Sequence, residues 1–259
     1  MSKLSGQLDI AVIVKQVPDI NSITVDPVTH RPDLGSERVM NTYDAYAVGE
    51  AIGIKERFGG TVTVITAGPS SAREVLLRAL ATGADVAVLI DLPNHNDIDS
   101  LSTARILAAE IRKHGFELIL AGQSTDDYEM GQVGPQVAEL LGWPHVSLVT
   151  HVEVEGRTLT VNRDAEASKE VVETSLPAVL MVLSGRDRPQ KFPTLRGMMA
   201  AKKKTIAVVE PGLNGQSRRL EWSDPVAIER DVKGTILKDV PAEQAAAELA
   251  AWLREQKLV

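Results

Sequence analysis

Residues 120–144, LAGQSTDDYEMGQVGPQVAELLGWP, decide the fold. The run before the stretch, Phe116–Ala121, is apolar apart from Glu117. Val133, Val137, Leu140 and Leu141 then recur at helical spacing. The stretch therefore reads as the end of a buried strand, a polar turn, and a helix starting near Gly131–Pro135. Asp126, Asp127 and Glu129 sit in the turn, with Gly122, Gly131 and Gly134 around them. An open α/β sheet binds ligands in such a crevice beyond the carboxyl end of a strand. Backbone N–H groups freed by the turn can hold phosphate oxygens. The same residues also describe a solvated loop with acids capping the helix, because no glycine spacing here completes a phosphate-loop fingerprint.

Toward the N-terminus the rhythm is strand, helix, strand, helix. Ile10–Val14 is a continuous apolar strand. Asn41 opens a helix whose apolar face is Ala45, Val48, Ala51, Ile52 and Ile54, and Gly59-Gly60 stops it. Strand Thr61–Thr66 is followed by a turn at Ala67-Gly68-Pro69, a helix over Ser70–Leu80 and a strand over Val86–Ile90. A helix over about Ser100–Lys113 leads to the strand at Phe116. This alternation predicts an α/β fold with a mostly parallel sheet covered by helices.

Beyond Val146 the pattern changes. Short strands are expected at Val146–Val149, Val152–Val154, Thr158–Val161 and Val171–Thr174, with a hairpin turn at Glu155-Gly156. The apolar run Leu176–Leu183 is long enough to rejoin the main sheet. Arg186–Met199 reads as a loop ending in a helix, and Leu195, Met198 and Met199 serve there as a partner anchor or as packing on their own domain. Lys202-Lys203-Lys204 reads as a solvated face before a strand at Ile206–Val209. Residues 210–235 are irregular, and Pro241–Leu253 has helical periodicity, as an arm over another chain or as a self-packed terminal helix.

Composition narrows the function. The 259 residues are 44% hydrophobic and 24% charged, with a formal charge of −7 that disfavours nonspecific nucleic-acid binding. The absence of Cys excludes disulfides, thiolate metal or cluster ligation and a cysteine nucleophile in this chain, and fits a reducing, cytoplasmic compartment. The five His show no metal spacing, so no metal site is expected. MSKLSGQLDIAVIVK lacks the pattern of a signal peptide, and no apolar segment of about 18 residues predicts a membrane span. Neither a phosphate-binding Gly-Lys-Ser/Thr loop nor a Gly-x-Ser-x-Gly elbow is present, which disfavours a hydrolase.

Several ordered motifs resemble the β subunit of electron transfer flavoprotein, including FixA-like members: VKQVPD at 14–19, MNTYDAYAVGEAI at 40–52, TAGP at 66–69, RALATGAD at 78–85, the GQVGPQVAELLGWP stretch, LPAVL at 176–180 and PTLRGMMAAKKKTI at 193–206. The resemblance implies a Rossmann-like, adenine-nucleotide-hydrolase-like domain over 1–210 with a hairpin insertion. It implies a partner-recognition loop near 186–200 and an extension over 211–259 that packs on an α subunit carrying most of a FAD site. The further partner it implies is a flavin-dependent dehydrogenase, such as an acyl-CoA dehydrogenase.

The family's nucleotide pocket falls on Val14, Lys15, Gln16, Asn41, Asp44, Thr66, Ala67, Gly68, Ser124, Asp127, Glu129, Met130, Gly131, Gln132, Val133 and Gly134. In ordinary members that pocket holds a structural AMP. In electron-bifurcating members it holds a second FAD that takes hydride from NADH. Asp127 and Gln132-Val133-Gly134-Pro135 keep the bifurcating pattern, whereas Tyr128, Glu129, Met130 and Gly131 depart from it, and Met130 removes a hydroxyl donor. The balance of motif and loop length favours FAD here. Arg163, Asp164 and Glu166 match a second family motif in which Asn162 and Ala167-Ser168 replace an acid and two glycines. Asp164 is thereby implied at the partner-facing surface, and Leu195, Met198 and Met199 in the loop that grips a dehydrogenase. The flavins do the redox chemistry, so no catalytic side chain is expected. A nucleotide-binding regulatory protein that works without a second chain is the competing class.

Overall fold

A computed structural model describes residues 7–165, 167–183, 190–212, 223–228 and 234–259. The first half builds a parallel sheet from short buried runs: β1 (Ile10–Ile13), β6 (Val62–Gly68), β7 (Val86–Asp91) and β8 (Leu118–Gly122). Between β1 and β6 lie two small ribbons. β2 (Gln16–Pro18) pairs with β5 (Arg38–Met40), and β3 (Thr24–Val25) with β4 (Pro32–Asp33). The crossovers are α1 (Thr42–Phe58), α2 (Arg73–Thr82) and α3 (Ser100–Ile111), and α4 (Val133–Leu141) follows β8. The helix expected from Ser70 is a 3-10 turn over Ser70–Ala72 that runs into α2.

Period-two alternation of the strands divides the core in two. Ile10, Val12, Leu118 and Leu120 pack with α1 and α2 in one cluster. Ala11, Ile13, Ile119 and Ala121 pack with α3 and α4 in the other.

The later strands are β9 (His145–Glu155), β10 (Thr158–Ala165), β11 (Ser168–Ser175) and β12 (Ala178–Val182). The two strands expected over 146–154 are one strand with a sharp turn at Leu148, where φ is +61°. Its first part pairs parallel with β12 and its second part antiparallel with β10. Val152, Val154, Leu159 and Val161 join the α1 side of the core, and Arg57 of α1 donates to the Val152 carbonyl (3.2 Å). β12 returns to the parallel sheet beside β8, as its apolar run suggests.

After it come α5 (Leu195–Ala201), β13 (Ala207–Val209) and α6 (Ala242–Glu255). Residues 184–189 of the expected recognition loop, Glu166 and most of 213–233 lie outside the described residues, as do residues 1–6 of the N-terminal stretch.

The nine strands run in the order β11-β10-β9-β12-β8-β1-β6-β7-β13. From β1 the chain winds outward through β6 and β7, then crosses back through α3 to place β8 on the other side of β1. This reversal leaves the carboxyl ends of β1 and β8 as neighbours that send their chains apart.

Leu120 is fully buried and in register with Val12 on one side and Leu180 on the other. Leu120→Ala is expected to cost roughly 2–5 kcal/mol. Exposed Val171→Ala should stay within about 0.5 kcal/mol. Urea denaturation midpoints of the two variants check both values.

Candidate functional site at the switch point

The mouth between β1 and β8 is organised by two residues at the start of α1. Asp44 is buried, and its carboxylate accepts from the backbone N–H of Lys15, just past β1 (2.7 Å), and of Gly122, at the end of β8 (3.1 Å). One side chain thus ties together the two strand ends that diverge at the switch point. Gly122 is required there: a Cβ would collide with the Asp44 carboxylate and lie 2.8 Å from the Tyr43 Cβ. Asn41 stands at the N-cap of α1 but makes no side-chain cap bond. Its carboxamide instead donates to the Ser124 carbonyl (2.8 Å) and accepts from the Asp126 N–H (3.0 Å). Asp126 returns the cap from 84 residues away, accepting from both the N–H and the hydroxyl of Thr42 (2.9 Å each).

Asp126 and Asp127 of the 124–131 loop are therefore turned onto the protein. Asp127 pairs with the Lys15 ammonium at 2.6 Å, and the same ammonium lies 4.7 Å from the centre of the Tyr128 ring. Burial and the Asp127 charge push the Tyr128 hydroxyl above its ordinary range, which keeps it protonated. Glu129 takes a left-handed backbone (φ +52°), and its N–H donates to the Thr125 carbonyl (2.8 Å). None of the three acids caps α4. Its N-cap residue is Gln132, which makes no side-chain cap bond, so the first turn of α4 faces the mouth with its helix N–H groups uncapped by a side chain. The Ser124 hydroxyl oxygen is buried with no hydrogen-bond partner.

The model of the electron transfer flavoprotein domain matches residues 33–213. Electron transfer flavoprotein subunit beta of Bacillus subtilis is 35% identical over 260 residues, covering 97% of this chain and 100% of that protein. The subunit of the same name from Thermoanaerobacterium thermosaccharolyticum is 38% identical over 204 residues, 78% of each chain. Protein FixA of Bradyrhizobium diazoefficiens is 36% identical over 256 residues, covering 93% of this chain and 84% of that protein. The chain belongs to the electron transfer flavoprotein β-subunit and FixA family.

All but two of the positions at which this electron transfer flavoprotein family member was expected to hold a nucleotide fall into three groups. Lys15, Asn41, Asp44, Ser124 and Asp127 meet through the bonds above, and Gln132, Val133 and Gly134 begin α4 beside them. Gly134 backs onto Met181 of β12, whose Cγ lies 2.8 Å from the place of a Cβ. Glu129, Met130 and Gly131 form the outer rim of the loop, and Met130 is exposed. Thr66, Ala67 and Gly68 end β6 next to β1. Val14 and Gln16 stand apart. The Val14 side chain is buried in the α1-side core. The Gln16 carboxamide exchanges hydrogen bonds with the Ser71 hydroxyl and carbonyl (2.9 Å each), lining a neighbouring cavity of about 350 Å³ with Arg38 and Glu74.

Sequence reading set Asp126 and Gly122 in the turn without the bonds they make, and it missed Thr42. Their partners lie about 80 residues away, so no local pattern announces them.

The expected partner residues lie elsewhere. Asp164 is on β10, opposite Lys169, with a buried carboxylate oxygen that has no hydrogen-bond partner. α5 packs on α2 through Gly197, where a Cβ would collide with the Ala81 carbonyl at the end of α2. That contact leaves Leu195 73% and Met199 63% exposed, with Met198 exposed beside them. The end of α2 leads into β7, so α5 lies at the sheet edge opposite the mouth. Among the described residues no helix is long and apolar enough to cross a membrane.

Burial pushes the Asp44 carboxyl up to about 7, against the opposing pull of Asn41, the Lys15 and Gly122 N–H donors and the Lys15 charge. The folded pKa lies above the reference 3.8, so folding favours the protonated form. Its stabilisation is full below about 3.8 and is lost as pH rises through about 7. Asp44→Asn keeps the shape but turns an amide NH₂ toward a backbone donor, at a cost of roughly 1–3 kcal/mol. The stability gap between wild type and Asp44→Asn should therefore be larger at pH 5 than at pH 8. Urea midpoints at the two pH values measure it, and a constant gap would contradict the assignment.

Proposed function

We propose that this chain is the nucleotide-holding β subunit of a two-chain electron carrier, with an AMP seated at the switch-point mouth. The observation that carries this reading is the inward turn of Asp126 and Asp127, two of the three loop acids. They are satisfied by Thr42 and Lys15, which leaves the first turn of α4, uncapped by a side chain, toward the mouth. Its backbone N–H groups are donors for one phosphate. Asn41, Asp44, Thr66, Ala67, Gly68 and Lys15 complete the walls, while Gln132, Val133 and Gly134 supply the phosphate end. The residues present thus fit an adenine nucleotide. The monophosphate is favoured over a dinucleotide because Lys15, the cation at this mouth among the described residues, is committed to Asp127 and lies against Tyr128. Met130 adds no donor.

A second reading, FAD in the same place and NADH-driven bifurcation, is favoured by the retained Asp127 and by Gln132-Val133-Gly134-Pro135 at the first turn of α4. A flavin bound there would supply the hydride-accepting chemistry that the polypeptide lacks. On either reading the redox flavin of the carrier is a FAD held mainly by the α subunit, and the complex works in the cytoplasm.

The α subunit is assigned to residues 211–259 and the Asp164 face. Support comes from α6, in which no residue is buried and Leu249 and Trp252 lie exposed on one amphipathic helix. The flavin-dependent dehydrogenase, of the acyl-CoA dehydrogenase kind, is assigned to Leu195, Met198 and Met199, an apolar cluster beside basic Arg196, Lys202 and Lys203.

Denaturing the purified heterodimer and quantifying the released nucleotides tests the cofactor assignment. One FAD and one AMP per heterodimer is the expected result. Two FAD would replace it with the bifurcating reading, and FAD alone would remove the nucleotide from this mouth. For docking, Leu195→Ala should cost about 2 kcal/mol, roughly 30-fold in dehydrogenase affinity, with flavin and nucleotide content unchanged. Loss of flavin together with the heterodimer would refute that separation.

A further inference from the structure

Two helices, α3 and α4, begin side by side at the mouth, and one hydroxyl joins them. Ser100, the first residue of α3, donates to the Gln132 side-chain oxygen at 2.8 Å and accepts from the Gln136 amide nitrogen at 3.3 Å. Ser100 has no part in capping its own helix. Asp99 does that, accepting from the Ser102 N–H at 2.7 Å. Nor does Gln132 cap α4, although it occupies the N-cap position.

The hydroxyl has a single proton. With Gln136 donating to the Ser100 oxygen, that proton goes to Gln132 and occupies its carbonyl, while the Gln136 carbonyl oxygen is buried without a partner. Gln132 is exposed at the start of α4, and with its oxygen bonded to Ser100 the NH₂ group is the part of the carboxamide left for a ligand. A carboxamide free to rotate presents oxygen or NH₂ with equal ease, and the oxygen would repel an anion. One whose oxygen is held presents only donors.

We propose that Ser100 is a positioning residue for anion recognition: by holding the Gln132 carbonyl it keeps the Gln132 NH₂ group directed at a phosphoryl group seated over the first turn of α4. Gln136 sets the direction of the relay. The inference rests on the reading of the mouth as a phosphorylated-nucleotide site, and it adds a residue 32 positions upstream of the loop that no glycine or acidic motif marks.

The test uses the heterodimer freed of endogenous nucleotide and titrated with AMP and, separately, adenosine, which lacks the phosphoryl group. Ser100→Ala should weaken AMP binding about tenfold and leave adenosine unchanged. Asp99 retains the α3 cap, so the variant should keep its fold, and Ser100→Thr, which keeps a hydroxyl, should restore AMP affinity. Gln132→Ala should lose about as much as Ser100→Ala, and the double variant no more than Gln132→Ala alone. Unchanged AMP affinity in Ser100→Ala, equal losses for both ligands, or additive losses in the double variant would each overturn the positioning role while leaving the nucleotide site intact. A wild-type heterodimer that binds neither ligand would overturn the nucleotide site itself and the positioning role with it.

Discussion

The constraint on which the mouth depends is the divergence of two parallel strand ends. β1 and β8 are neighbours in the sheet, but their chains depart in different directions, and backbone N–H groups just beyond them need acceptors. Asp44 meets both with one carboxyl group, reaching back from the first turn of the helix that β1 feeds through its ribbons. The solution demands a glycine at 122 and a carboxyl buried against its own solvation, which lifts its pKa. The strain of the arrangement is electrostatic, held in a protonation equilibrium rather than in distorted backbone at Asp44.

The same economy governs the loop above it. Three acids in four residues would repel a phosphate if they faced solvent together. Asp126 is consumed by the first turn of α1 and Asp127 by Lys15, so two of the charges serve the loop's own shape. Asn41 and Asp126 in effect exchange caps: the residue at the N-cap holds the loop, and the loop caps the helix. The loop is therefore ordered by α1, while the N-terminus of α4 is left without a side-chain cap. The third acid, Glu129, stays exposed at the rim.

Much of the fold was legible because buried parallel strands write themselves as short apolar runs between helical periods. Ile10–Ile13, Val86–Asp91 and Leu118–Gly122 are recognisable without any tertiary information. The β2–β5 ribbon was not, since Gln16–Pro18 contains one buried apolar residue and a proline, and its stability comes from a partner 22 residues away at Arg38–Met40. The kink in β9 escaped notice for the opposite reason. Leu148 is an ordinary strand residue by composition, and only its position between two different pairing partners forces a positive φ. Of the mouth, the glycines and acids were visible in sequence, but which acid faces inward is set by contacts such as Thr42–Asp126 that span half the domain.

The arrangement of surfaces bears on how such a subunit can work. The mouth opens at the carboxyl edge of the sheet, while α5 is fixed to the end of α2 at the opposite edge by the close approach of Gly197 to Ala81. Between them lies the α1–α2 core cluster, in which Val48, Leu76 and Leu80 are buried. A close-packed core of this kind is stiff. The proposed nucleotide site and the proposed docking helix share no residue, and any coupling between them would run through that core. A nucleotide that binds the folded state alone would stabilise it.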